Sequence, residues 1–148
     1  MAYKGRYIPK NPSKYAADPT KIIYRSMWEK KFMIFCDTNE SVLRWGSETI
    51  VVPYISPTDG KWHKYYVDFI VETVNKNGHK EVQLIEIKPK KQTLEPKKNS
   101  RITRRYLSEV KTYAVNQAKW ASALEFAENR GWKFKILTEE VLFPNGDN

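Results

Sequence analysis

At 148 residues and 17.5 kDa the chain has the length of one domain, and its 41% hydrophobic content with five Trp, nine Tyr and six Phe excludes general disorder. No run approaches the roughly 18 apolar residues of a membrane-spanning helix, and the start, with no apolar stretch after its basic residues, reads as no secretory signal. A total of 26 Lys plus Arg against 17 Asp plus Glu gives a net charge of +9, which favours a polyanionic partner and nucleic acid first.

Cys36 is the single cysteine, so no internal disulfide forms, which fits a reducing compartment, and Cys36, His63 and His79 match no zinc-ligand spacing. Residues 1–21 hold Lys, Pro, Ser, Asn and Asp without periodicity and read as a basic N-terminal arm rather than a packed element. Tyr3, Tyr7 and Tyr15 are interleaved in that arm, rings of the kind that stack on bases or sugars. Residues 22–148 are expected to form a single domain. Ser26 and Glu29 have capping-box spacing, and Trp28, Phe32 and Phe35 recur at helical intervals, which predicts a helix ending near Asp37–Asn39. Cys36 on that helix reads as a buried small hydrophobe. A short apolar piece, Val42 to Trp45, leads to Gly46.

Three strands are expected next. Thr49 to Ile55 carries Pro53, the mark of an edge or bulge, and Pro57 to Gly60 is a turn. Trp62 to Thr73 is the second strand; Asn77-Gly78 signals a hairpin into the third, Glu81 to Lys88, which Pro89 stops. An antiparallel meander of these three behind one helix is the simplest arrangement. Residues 89–100 read as a loop, and Ile102, Tyr106, Leu107 and Val110 predict a helix through Tyr113. Asn116 reads as the N-cap of another helix, with Trp120, Ala121, Leu124 and Ala127 inward and Gly131 just past its end. Trp132 to Leu137 alternates as a half-buried strand, and Thr138 caps a short terminal turn or helix. The order α-β-β-β-α-α-β predicts an α+β fold, a sheet with helices packed on it.

Positions that break the hydrophobic pattern point to chemistry, because a buried charge is costly unless paired or metal-bound. Asp68 sits among Tyr65, Tyr66, Val67, Phe69, Ile70 and Val71. Glu86 and Lys88 share a strand face with Val82 and Leu84. Pairing the two strands about Asn77-Gly78 sets Glu86 opposite residue 69 or 70, so within a residue or two of register Asp68, Glu86 and Lys88 converge at one end of the sheet. Two carboxylates brought close repel, and a hard divalent cation such as Mg²⁺ relieves that repulsion. A neighbouring ammonium suits the orientation of water and the charge on an attacked phosphate. An ordinary ion pair of Lys88 with Asp68 or Glu86 is the competing reading; a metal-dependent phosphodiesterase accounts for the acids, the lysine and the adjoining basic tract together.

That tract runs from Lys88 to Arg105 with eight basic residues against Glu95, and the arm through Arg25 adds six against Asp18. It reads either as a solvated face or as a phosphate grip built from Lys90, Lys91, Lys97, Lys98, Arg101, Arg104 and Arg105. Lys119 is solvated or a further phosphate contact, Glu29 either caps its helix or supplies a further metal-binding carboxylate, and Glu48 is a weaker candidate, a surface acid at a strand entry.

An acidic helix, Asp, a hairpin, Glu-x-Lys and following helices together resemble the PD-(D/E)XK nucleases, Mg²⁺-dependent phosphodiesterases of restriction-endonuclease-like fold. Tyr24 to Glu29, Trp45-Gly46-Ser47-Glu48, Glu86 to Lys91, Val115 to Trp120 and Arg130 to Glu139 resemble the head-completion nucleases of T-even-like tailed phages. So do the opening Met-Ala-Tyr and the segment from Pro9 to Tyr15, and the core is similar to the N-terminal domain of the TnsA transposition endonucleases. The resemblance implies a mixed sheet with an antiparallel three-strand meander flanked by helices. It implies Asp68, Glu86 and the Ile87 carbonyl as metal ligands, Lys88 as the catalytic lysine and Glu29 as the acid of the first helix, with Mg²⁺ as cofactor and Mn²⁺ as its substitute. Val67 stands where the family name has proline. The implied substrate is double-stranded DNA cut without sequence preference: DNA protruding from a filled phage head is trimmed before the tail joins. Head or neck proteins would be partners, and the site of action the host cytoplasm during assembly, with retention in the virion a further implication. The rival reading is a catalytically inactive DNA-binding or virion structural protein on the same fold, ahead of an RNA-binding module.

Overall fold

The computed structural model describes residues 4–98 and 100–144; Tyr3 and the acidic end beyond residue 144 lie outside them. In chain order the elements are β1 (Gly5–Arg6), a 3-10 turn (Pro12–Lys14), β2 (Ile23–Tyr24), α1 (Met27–Thr38), β3 (Val42–Ser47), β4 (Val51–Ile55) and β5 (Trp62–Tyr66). They continue with β6 (Phe69–Val74), β7 (Lys80–Ile87), α2 (Lys90–Thr93), α3 (Arg104–Glu128), β8 (Lys133–Leu137) and α4 (Glu139–Leu142). The main sheet has the order β3-β6-β7-β8, antiparallel except for the parallel β7–β8 pair, so the fold is α+β on a mixed sheet.

Each face of this sheet carries a core. On one, Phe69, Val71, Ile85 and Ile87 meet Phe32, Met33 and Cys36 of α1 with Tyr7, Tyr15, Ile22 and Trp45. On the other, Leu84 meets Trp120, Ala123 and Ala127 of α3 and the β4–β5 ribbon through Val52, Tyr54, Tyr65 and Val67. Full burial of each large apolar side chain contributes about 1.5–3 kcal/mol.

This two-sided arrangement explains where the observed strands depart from the expected ones. Tyr65 and Val67 belong to the α3 core, whereas Phe69 and Val71 belong to the α1 core. Residues that alternate in sequence thus face opposite sides, and the expected strand from Trp62 to Thr73 breaks at Val67–Asp68 into β5 and β6. β4 and β5 form a separate two-stranded sheet, and the meander of the main sheet is β3-β6-β7, with the piece at Val42 as a full strand. The Asn77-Gly78 hairpin forms as expected, with Gly78 at φ +81°, a conformation that a residue without Cβ adopts freely.

Three further expectations are corrected. The two helices after the basic loop are one, α3, capped by Thr103, whose side chain accepts from the Tyr106 N–H at 3.1 Å. No Gly or Pro interrupts it, and Asn116 is a buried mid-helix residue rather than a cap. Ala123, not Ala121 or Leu124, lies on its inner stripe, and Leu124 is 47% exposed. The 89–100 loop contains the single turn α2. The segment read as an unpacked arm is packed from Gly5 onward: β1 pairs with β2, and Tyr7 and Tyr15 lie in the α1 core, not free for stacking.

Asp37 secures that segment. It is 0% exposed and accepts from the Tyr7 hydroxyl at 2.6 Å, the Lys10 N–H at 2.7 Å and the Asn11 N–H at 2.9 Å. Burial pushes its carboxyl up, and the bonds from Tyr7, Lys10 and Asn11 outweigh that, leaving it below the ordinary carboxylate range.

Candidate active site

The β6–β7 register pairs Phe69 with Ile85, and one step further along it brings Asp68 level with Glu86. Alternation puts Glu86 on the face of Leu84, toward α3 and the ribbon. Asp68 is held by its backbone at the point where the chain changes sheet: the Val67 N–H donates to the Ile50 carbonyl at 3.1 Å and the Glu48 N–H to the Asp68 carbonyl at 3.0 Å. Lys88 follows β7 directly, its N–H donating to the Leu137 carbonyl of β8 at 3.0 Å before Pro89.

Each acid has one oxygen engaged by the protein. Asp68 Oδ2 accepts from the Ile87 N–H at 2.9 Å, and Asp68 Oδ1 has no hydrogen bond among the described residues. Glu86 is 5% exposed; its Oε1 accepts from the Tyr65 hydroxyl at 2.6 Å, and its Oε2 lies 3.8 Å from Lys88 Nζ. The Asp68 carboxyl is pushed up to about 8, first by burial and then by the negative charge of Glu86. The Ile87 N–H and the Lys88 charge pull the other way, and the charge of Glu29 adds to the rise. Two hard oxygen donors, one of which resists ionisation beside the charge of the other, are the donor chemistry a divalent cation satisfies.

Glu29 does not complete a three-carboxylate cage. Among the described residues no group of three or more Asp, Glu, His or Cys side chains lies close enough together to hold a metal ion, and the ligand roles expected of Glu29, Asp68 and Glu86 stand as a proposal. α1 packs on the face of the sheet opposite Leu84, and Glu29 in its first turn is near enough for its charge to act on Asp68 and for that of Glu86 to act on it. Its N–H donates to the capping Ser26 Oγ at 3.2 Å, and its Oε1 accepts from the Arg25 N–H at 3.3 Å, one residue short of a closed capping box. Burial first, then repulsion from Glu48 and Glu86, pushes its carboxyl up against the opposing Arg25 N–H bond and charge.

The Tyr65 contact with Glu86 and the backbone conformation of Glu48 gave no signal in sequence. Tyr65, on the inner face of β5, orients Glu86; a buried tyrosine needs a partner for its hydroxyl, and the acid one hairpin away supplies it. Glu48 has φ +54°, the sole positive φ of a non-glycine among the described residues, which costs on the order of 1–3 kcal/mol. Its carboxylate takes the Arg25 guanidinium in a two-point contact, Nη2 to Oε2 at 3.0 Å and Nε to Oε1 at 3.3 Å. An ion pair as exposed as this contributes only about 0.2–1 kcal/mol.

The basic residues divide. Lys90 is committed to α4, its Nζ 2.6 Å from Glu140 and its N–H donating to Glu139 at 2.7 Å. Arg105 pairs with Glu109 at 3.1 Å within α3. Lys91, Lys97, Lys98, Arg101 and Arg104 are exposed without an ion pair among the described residues. Lys119 lies over the rings of Tyr54 and Tyr65, 5.9 and 5.6 Å from their centroids.

A mixed sheet with an Asp, a Glu-x-Lys and a flanking acidic helix at one end defines a nuclease of restriction-endonuclease-like fold. Residues 39–139 match the family model described as "TnsA-like endonuclease N terminal", and the chain belongs to that family. It is 45% identical over 146 residues to the head completion nuclease of Enterobacteria phage T4, a match that covers 96% of this chain and 95% of that protein.

Proposed function

We propose that the chain is a Mg²⁺-dependent endodeoxyribonuclease of phage head completion, acting in the infected cell to trim DNA that protrudes from packaged heads before tails join. The observation that carries this reading is Asp68 level with Glu86, with Lys88 beside it at the end of β7. The name of the T4 relative and the nuclease family support the assembly role.

Asp68, Glu86 and the Ile87 carbonyl would hold the ion, whose chemistry when bound is neutralisation of charge on the attacked phosphate and a lowered pKa for a bound water. Glu29 adds negative charge at the rim and would serve the ion directly or through water. Lys88 orients the attacking water and steadies the phosphoryl oxygens. The attacking water gives up a proton to solvent as its oxygen bonds to phosphorus, and the bond to the leaving sugar oxygen breaks, that oxygen taking up a proton from solvent. Lys91, Lys97, Lys98, Arg101, Arg104 and Lys119 grip backbone phosphates, contacts that carry no sequence information and suit arbitrary ends. Head or neck proteins would dock the enzyme.

The second reading, an inactive DNA-binding virion protein, draws on the Glu86–Lys88 ion contact. Lys88→Ala separates the two. With Mg²⁺ and linear DNA, the nuclease reading expects cutting by the wild type, none by the variant, and binding by both. Wild-type protein that binds DNA and leaves it whole overturns the nuclease reading.

A further inference from the structure

Arg25 has no role in the reaction just described, yet three contacts tie it to the centre. Its N–H donates to Glu29 Oε1 at 3.3 Å, its guanidinium grips Glu48 at 3.0 and 3.3 Å, and the Glu48 N–H donates to the Asp68 carbonyl at 3.0 Å. The side chains of Arg25 and Glu48 are 52% and 36% exposed, open to an incoming ligand. Glu48, whose N–H makes the bond to Asp68, stands at φ +54°, a conformation a glycine would adopt without strain. The carboxylate installed there instead gains less from its exposed partner than the turn costs, so stability does not account for it. Its effect is to hold a guanidinium fork beside Glu29 and Asp68 in a contact easily exchanged. A carboxylate and a phosphate present that fork with the same paired acceptors.

We propose that Arg25 binds the scissile phosphodiester and that Glu48 holds the guanidinium in place until DNA arrives, the phosphate then replacing the Glu48 carboxylate. This rests on the nuclease reading. The need is electrostatic: an anionic phosphate must approach Asp68, Glu86 and Glu29, and Lys88 is already 3.8 Å from Glu86. The charge of Arg25 acts on both Glu29 and Asp68.

The test compares Arg25→Ala, Arg25→Lys and Glu48→Gln with wild type in single-turnover cleavage of linear DNA with Mg²⁺. Metal-free DNA binding is measured against salt, and thermal unfolding is followed for each protein. Arg25→Ala is expected to slow the cleavage step at least tenfold at saturating DNA, with its melting temperature nearly unchanged and its log-log salt slope smaller by about 0.9. Arg25→Lys should recover part of the rate, and Glu48→Gln, which frees the guanidinium, should bind DNA at least as tightly as wild type. If wild type cuts and Arg25→Ala cuts equally fast with an unchanged slope, the assignment of Arg25 is overturned while the nuclease reading stands. A rate loss that tracks a lowered melting temperature and is not eased by lysine also overturns it, as a structural effect. Wild-type protein that binds without cutting overturns both.

Discussion

The Tyr65 hydroxyl donates to Glu86 Oε1 at 2.6 Å, and both side chains are buried, at 4% and 5% exposure. One oxygen of Glu86 is thereby fixed by the ribbon and the other turned toward Lys88. Tyr65→Phe keeps the ring in its core and removes the donor, leaving a buried carboxylate oxygen unpaired. Chemical denaturation is expected to show a loss of about 1–3 kcal/mol, and DNA cleavage should fall with binding retained.

Asp68 sets the dependence on pH. Its carboxyl in the fold sits near 8, above the unfolded value of about 3.9. The stability linked to its neutral form is therefore full below the unfolded value and declines as pH rises through about 8. In metal-free buffer Asp68→Asn should melt at a higher temperature than wild type, and the gap should widen from pH 5 to pH 8. Because protons compete for the same oxygens, Mg²⁺ affinity measured by calorimetry should climb over that interval in wild type and be lost in the variant.

Asp37 has the opposite sign. Its depressed carboxyl contributes stability above the ordinary carboxylate range that is lost as pH falls through its folded value. Asp37→Ala strands the Tyr7 hydroxyl and the Lys10 and Asn11 N–H groups and should cost about 3 kcal/mol. Hydrogen exchange should then show residues 5–15 opening ahead of the sheet.

The basic tract should divide under salt titration of DNA binding. Arg101→Ala or Lys97→Ala should lower the log-log slope by about 0.9 each. Lys90→Ala should lower it by less, since its ammonium is shared with Glu140 at 2.6 Å and its backbone is tied to Glu139.

Local rules made much of this legible. The Ser26 cap defines α1, Asn77-Gly78 defines the hairpin, and the strand period with that turn sets Glu86 opposite residue 69 or 70, within a residue or two of the observed register, in which Asp68 is level with Glu86. What was hidden depends on partners distant in sequence. Tyr65, Val67, Phe69 and Val71 alternate like one strand, and only the existence of two cores reveals the break at Asp68. Tyr7 is drawn inside by Asp37, 30 residues away, and β8 runs parallel because α3 crosses the sheet between β7 and β8. Glu29 reads either as a cap or as a metal-binding acid in sequence, because which neighbours α1 meets is a tertiary fact.

The most direct measurement is a Mn²⁺ soak of crystals of the wild-type protein, read by anomalous diffraction. The account predicts a peak between Asp68 and Glu86, about 2.1 Å from an oxygen of each, with Lys88 Nζ turned away from Glu86. Saturated crystals with no peak there, and Lys88 still on Glu86, would contradict it.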